Sequence, residues 1–72
     1  MNIYLHSVKD VTEFVNEISK VEGAATIYAG RYIINAKSIM GIFSLDLSEP
    51  LKLEIENWKE EYAPRLEKYL AE

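Results

Sequence analysis

Few side chains in this sequence are of the types that carry out chemistry, and a lone histidine stands out among them. His6 is the single histidine, cysteine is absent, and the chain contains neither a His-Glu-x-x-His motif nor a glycine-rich phosphate loop. Zinc sites and conventional nucleotide sites therefore lack their minimum ligand sets. We expect the protein to use no metal and no cofactor.

His6 lies where a short strand pattern ends and a helical pattern begins. The N–H groups at a helix N-terminus can hold an anion, so a histidine there can contact or carry a phosphoryl group. The alternative is an exposed surface histidine at the end of a strand. The residue type and its position are compatible with both interpretations.

The segment from Lys37 to Leu45 contains more information. It reads Lys-Ser-Ile-Met-Gly-Ile-Phe-Ser-Leu, and five of the seven residues from 39 to 45 are apolar. One face of a short helix cannot bury that many side chains, so some of them should be exposed. Met40 and Phe43, three residues apart, would then form an adaptable protein-binding surface near Lys37. The alternative is ordinary core packing.

Composition limits the classes of partner. Twelve acidic and eight basic residues give a net charge of -4, which repels nucleic-acid phosphates and anionic membranes. We therefore expect no nucleic-acid partner. No apolar run approaches the roughly 18 residues that a membrane span needs, so we expect no membrane insertion. The absence of cysteine fits a cytoplasmic protein.

The pattern of apolar residues indicates which elements must position these side chains in a single domain over residues 1–72. It predicts a strand at Ile3 and Leu5, a helix over 8–21 capped by Ser7, strands over 24–29 and 31–35 joined at Gly30, a short helix capped by Ser38, a strand over 51–56, and a regular helix from about Ala63 with Pro64 at its first position. This order is typical of an α+β fold, with helices covering one face of a mostly antiparallel sheet.

The residues Lys37-Ser38-Ile39-Met40-Gly41, followed by Ile42-Phe43-Ser44-Leu45, resemble the regulatory-serine motif of the histidine-containing phosphocarrier protein (HPr) family. This family belongs to the sugar phosphotransferase system. The resemblance extends to a first helix ending in Ser19-Lys20 and a hairpin containing Gly30-Arg31. It implies an open-faced βαββαβα sandwich, in which helices cover one face of a four-stranded antiparallel sheet.

The site of phosphotransfer departs from the family pattern of His-Ala-Arg-Pro. Ser7 stands where the family has its histidine, Lys9 where it has arginine and Asp10 where it has proline, while His6 comes one residue early. A misplacement of even 1 Å can reduce a rate about 100-fold. The resemblance therefore implies a regulatory or protein-binding module that has lost phosphotransfer. The alternatives are a working phosphocarrier that uses His6, and a structural relic outside sugar uptake.

Ser38 matches the serine that a dedicated kinase phosphorylates in some members of the family, although it can also serve only as a helix cap. The resemblance implies that the chain is not itself an enzyme and that its partners are phosphotransferase-system proteins or a transcriptional regulator. The residues expected to contact such a partner are Lys9, Lys20, Lys37, Ile39, Met40 and Phe43.

Overall fold

A computed structural model of the protein describes residues 1–71. Its elements run β1 (Asn2–Ile3), α1 (Val8–Ile18), β2 (Ala25–Ala29), β3 (Tyr32–Asn35), α2 (Ile39–Phe43), β4 (Leu51–Ile55) and α3 (Ala63–Leu66). Two short 3₁₀ turns, Glu60–Tyr62 and Glu67–Tyr69, flank α3. The fold is α+β, with three α-helices and a four-stranded antiparallel open sheet.

The sheet has the strand order β1-β4-β2-β3, and every adjacent pair is antiparallel. β4 lies between β1 and β2, and its alternating sequence gives it one buried face and one exposed face, as predicted. Leu51 and Leu53 are buried in the core, whereas Lys52 and Glu54 are exposed on the other face. The strict alternation of β4 thus separates the covered face of the sheet from its open face.

Ser7 begins α1 as predicted. Its Oγ accepts a hydrogen bond from the backbone N–H of Asp10 at 3.1 Å, and the Asp10 carboxylate accepts one from the backbone N–H of His6 at 3.0 Å. The first bond satisfies a donor that the helix leaves unpaired at its start, and the second ties the residue before the cap to the first turn. The spacing of apolar residues predicts that Val8 shares the buried face of α1 with Val11 and Phe14, and this prediction is wrong, since Val8 is 69% exposed in the first turn.

The predicted end of α1 at residue 21 is also wrong, because the helix ends at Ile18 and Ser19 caps it. The N–H groups of Lys20 and Val21 bond to carbonyls only three residues back, at 3.1 Å each. This tighter turn replaces the last α-helical turn. Val21 stays in the core, 4% exposed, so the apolar spacing indicated its burial although it lies outside the helix.

The hairpin between β2 and β3 has the predicted turn. Ala29 pairs with Tyr32, so Gly30 and Arg31 form a two-residue connection, and Gly30 has φ = 61°. Arg31 keeps a negative φ. A positive φ at the first turn position alone is typical of a type II′ turn, in which glycine is favoured.

The helical spacing of Leu66, Tyr69 and Leu70 predicts a C-terminal helix that continues past residue 66, but the helix, which begins at Ala63 as predicted, ends after four residues. Pro64 is the second residue of α3 and not the first, and its missing N–H is harmless there as well. The chain then pairs with β1: Tyr4 N–H donates to Tyr69 C=O at 2.7 Å, and Ala71 N–H donates to Asn2 C=O at 2.9 Å. A 3₁₀ turn therefore follows α3, and sheet-like bonds to β1 then take the place of a further helical turn.

The core lies between the covered face of the sheet and the helices. Its largest fully buried side chains come from β1, β2 and β4, from the connection between β1 and α1, and from all three helices: Phe14, Ile3, Leu5, Ile18, Ile27, Ile42, Leu51, Leu53, Leu66 and Val11. From Met1 to Ala71, no helix is both long enough and apolar enough to cross a membrane.

Candidate functional site

α2 is held in place at its start by the residue that the sequence predicts. Ser38 is half-buried, and its Oγ accepts a hydrogen bond from the backbone N–H of Gly41 at 3.1 Å. The Ser38 carbonyl also accepts from the N–H of Ile42 at 3.1 Å. Ser38 is therefore the N-cap of α2, as predicted.

The apolar side chains of this segment point in different directions. Ile42 is fully buried and Ile39 packs half-buried against the core, whereas Met40 is 76% exposed and Phe43 is 39% exposed. The prediction that the segment holds more apolar groups than it can bury is confirmed. We call the exposed pair, Met40 and Phe43, the α2 surface.

Close packing against β3 sets the position of the α2 surface. A Cβ atom added to Gly41 would lie 2.7 Å from Cγ2 of Ile34, well inside van der Waals contact. The helix backbone therefore approaches the strand more closely than any larger residue would permit. This approach turns Met40 and Phe43 outward while Ile42 enters the core.

Lys37 is predicted to contact a partner, but its ammonium group forms hydrogen bonds within the same molecule. Nζ donates to the carbonyl of Val21 at 2.7 Å and to the carbonyl of Gly23 at 3.0 Å. These carbonyls follow the end of α1, where a cation is favoured. Lys37 thereby ties the segment before α2 to the end of α1.

The other two predicted lysines lie apart from each other. Lys9 is exposed in the first turn of α1, and Lys20, just after the helix, forms an ion pair with Glu17 at 3.4 Å. A rise of 1.5 Å per residue separates these two positions by roughly 16 Å along the helix axis. The three lysines therefore do not form one cluster.

At the start of α1, both predicted phosphotransfer positions have local roles. The His6 ring stacks on Tyr4, with 5.1 Å between ring centroids and 23° between planes, and His6 is exposed. The Ser7 hydroxyl is occupied as the helix cap. The Asp10 carboxylate is held at the same turn by the His6 N–H, so a negative charge occupies the place where an anion would approach.

A concavity of about 630 Å³ lies between α1 and the C-terminal segment. Its lining mixes both charges, and the ion pair between Lys68 and Glu13, 3.2 Å long, joins its two sides. None of the predicted site residues lines it. Met40 and Phe43 of the predicted site are exposed outside this concavity, an arrangement that suits contact with another protein better than enclosure of a small molecule.

Two exposed apolar residues on the open face of the sheet were not identified from the sequence. Tyr28 on β2 is 37% exposed, and Ile33, opposite it on β3, is 71% exposed. The alternation of side chains along a strand could have identified them, because Ile27 and Ile34 face the core and their sequence neighbours must face outward.

Comparison with protein-family models, with curated proteins and with solved structures finds no significant match to this chain. The α+β architecture rests on the structure itself. The resemblance to the HPr family rests on the residues around Ser38 and on the order of the elements.

Proposed function

We propose that this protein is an HPr-like regulatory or protein-binding module of the sugar phosphotransferase system, without histidine phosphotransfer. The observation that carries the proposal is the α2 surface. Met40 is 76% exposed on the helix that Ser38 caps, within the segment that resembles the family's regulatory motif. An exposed methionine beside an aromatic ring can adapt to the shape of a protein partner.

The arrangement at the start of α1 supports the loss of phosphotransfer. A phosphoryl group on His6 would add negative charge near the Asp10 carboxylate, which is already bonded to the His6 N–H at 3.0 Å. Like charges held at the start of the same helix oppose each other. Ser7, at the family's histidine position, uses its oxygen as a cap and offers no imidazole nitrogen.

In this proposal, phosphorylation of Ser38 regulates partner binding. A phosphate adds about -1.5 to -2 charges at neutral pH, and it would do so two residues from Met40. Lys37, the adjacent cation, is bonded to the carbonyls of Val21 and Gly23. A partner that presents an arginine to the α2 surface would therefore gain affinity when Ser38 is phosphorylated.

Calorimetric titration of the catabolite-repression regulator of the same system tests the proposal, with the unmodified and the Ser38-phosphorylated protein. We expect Met40→Asp and Phe43→Asp each to weaken binding at least tenfold. Leu70→Asp, at a site 42% exposed and so comparable to Phe43, is the matched control and should bind like the parent. Unchanged binding by both α2 variants would show that the α2 surface is not the contact.

Loss of phosphotransfer has a separate test. The protein is incubated with enzyme I of the phosphotransferase system and labelled phosphoenolpyruvate, and we expect no acid-labile label on the chain. Label that appears on the parent and disappears in His6→Ala would establish a working phosphocarrier and overturn this part of the proposal.

A further inference from the structure

The two edges of the sheet differ in how they are protected. The edge at β1 is covered by the C-terminal segment, through the hydrogen bonds from Tyr4 to Tyr69 and from Ala71 to Asn2. The edge at β3 has no strand paired to its outer side among residues 1–71. An uncovered edge strand presents unpaired backbone groups to another chain.

The hydrogen-bond register identifies which groups of β3 point outward. Ala36 N–H donates to the carbonyl of Ala25, its direct partner across the pair, at 2.9 Å. Bonded and non-bonded pairs alternate along an antiparallel ladder, so the pair of Tyr28 and Ile33 is a non-bonded one. The N–H and C=O of Ile33 therefore point away from β2, at the free edge.

The side chains beside this free edge are apolar. Ile33 is 71% exposed and Tyr28, directly across the pair on the same open face, is 37% exposed. Residues 31–35 contain one charged side chain, Arg31, and neither an acidic residue nor a proline. Charges and prolines are what usually protect such an edge from association.

We propose that β3 of one molecule pairs with β3 of a second copy, antiparallel and centred on Ile33. In this register residues 31–35 of one copy pair with residues 35–31 of the other. Ile33 faces Ile33 and the two exchange both outward hydrogen bonds, while Arg31 faces Asn35 of the other copy, so that no like charges oppose each other. The open faces then join, and Tyr28 and Ile33 of both copies form one continuous apolar row.

The proposed pairing is weak because the contact area is small. β3 has four residues, so an edge contact buries less than the roughly 1,000 Å² typical of a stable interface. The net charge of -4 on each copy adds repulsion. We therefore expect a reversible dimer that forms at concentrations on the order of 1 mM and strengthens when salt screens the charges. This inference does not depend on the proposed function.

Sedimentation equilibrium and amide exchange test the pairing over a range from about 20 µM to about 2 mM protein, which brackets the expected dissociation constant. We expect the average mass to rise toward that of a dimer. The Ile33 amide, unpaired within one molecule, should exchange more slowly as concentration rises. A mass that stays monomeric over the whole range would overturn the proposal.

Three variants identify the contact. Ile33→Pro removes the outward N–H donor and leaves the hydrogen bonds to β2 in place, because an edge strand tolerates proline where the N–H points away from its neighbour. Ile33→Lys adds a positive charge to the apolar row. Both should weaken dimerisation at least tenfold, and Ile33→Lys decides the question if the proline variant does not fold. Val8→Lys, at an aliphatic site 69% exposed on α1, is the matched control. Equal weakening by Val8→Lys, or none by Ile33→Lys, would place the association elsewhere.

Discussion

Gly41 and Ile34 pack so closely that a Cβ on Gly41 would lie 2.7 Å from Cγ2 of Ile34. We expect Gly41→Ala to lower the free energy of unfolding by about 1 kcal/mol. Overpacking costs about 1–3 kcal/mol, and the better helix propensity of alanine offsets up to about 1 kcal/mol of it. Cγ2 is attached directly to a branched Cβ and cannot move aside easily. Urea unfolding measures the change.

The double variant Gly41→Ala with Ile34→Ala is the control for this prediction. Removing Cγ2 removes the clash, so the two substitutions together should cost less than the sum of their separate costs. A Gly41→Ala protein more stable than the parent would show that propensity outweighs the close approach.

The cap of α2 gives a second prediction. Ser38→Ala removes the acceptor of the Gly41 N–H bond, 3.1 Å long, and we expect it to cost about 1 kcal/mol of stability. Ser38→Asp keeps an acceptor at the same position and should retain most of that stability. Urea denaturation of both variants measures this. Equal losses in the two variants would contradict a capping role.

Two buried tyrosines should respond oppositely to loss of the hydroxyl group. Tyr69 Oη is buried without a hydrogen-bond partner among residues 1–71, and burial raises the pKa of this phenol. Tyr62 Oη accepts a bond from the Glu22 N–H at 3.2 Å. We expect Tyr69→Phe to stabilise by up to about 1 kcal/mol and Tyr62→Phe to destabilise by about 1 kcal/mol.

Thermal unfolding of the two phenylalanine variants side by side gives the measurement, since each serves as the size-matched control of the other. A loss of stability in Tyr69→Phe as large as that in Tyr62→Phe would mean that the Tyr69 hydroxyl is hydrogen-bonded after all.

The carboxylate of Asp46 should titrate below the ordinary aspartate range. The side chain and the backbone N–H of Ser48 both donate to Oδ1, at 2.6 and 3.0 Å, and these bonds lower the pKa of Asp46. Because the folded-state pKa is lowered, its stabilising contribution is present above the unfolded-state pKa. That contribution is lost as pH falls through the folded-state value.

A pH titration of the Asp46 carboxyl signal by NMR checks this direction. In Ser48→Ala the stronger of the two causes is gone, so the pKa of Asp46 should rise toward its ordinary value. Ser44→Ala, which removes a serine hydroxyl bonded to the Gly41 carbonyl instead, should leave the titration of Asp46 in place. An unshifted Asp46 in the parent would contradict the prediction.

Features that depend on neighbouring residues were predicted well. Ser7 and Ser38 cap their helices, Gly30 forms the turn, and α3 starts at Ala63, because capping and turn formation involve groups only a few residues apart. A long-range contact accounts for one failure, since the chain after α3 bonds to β1. Two others are local: α1 ends early in a 3₁₀ turn, and Val8 is exposed in the first turn although its spacing fits the buried face.

The candidate site shows the same division. The sequence alone was enough to predict that α2 holds too many apolar groups to bury, since that follows from a count over one short helix. Which of them emerge was decided by the close approach of Gly41 to Ile34, residues on different elements. Likewise, Lys37 was expected at a partner surface, but its ammonium group bonds to carbonyls 14 and 16 residues away.

The amino-acid sequence by itself determined the alternation of β4, the caps, the turn and the order of the elements, because each results from interactions within a few residues. Only the tertiary structure decided that the C-terminal segment covers β1 while no strand within residues 1–71 pairs with the outer edge of β3. It also decided that Tyr28 and Ile33 meet on the open face. Strand order and edge protection come from contacts between distant parts of the chain, and no local pattern specifies them.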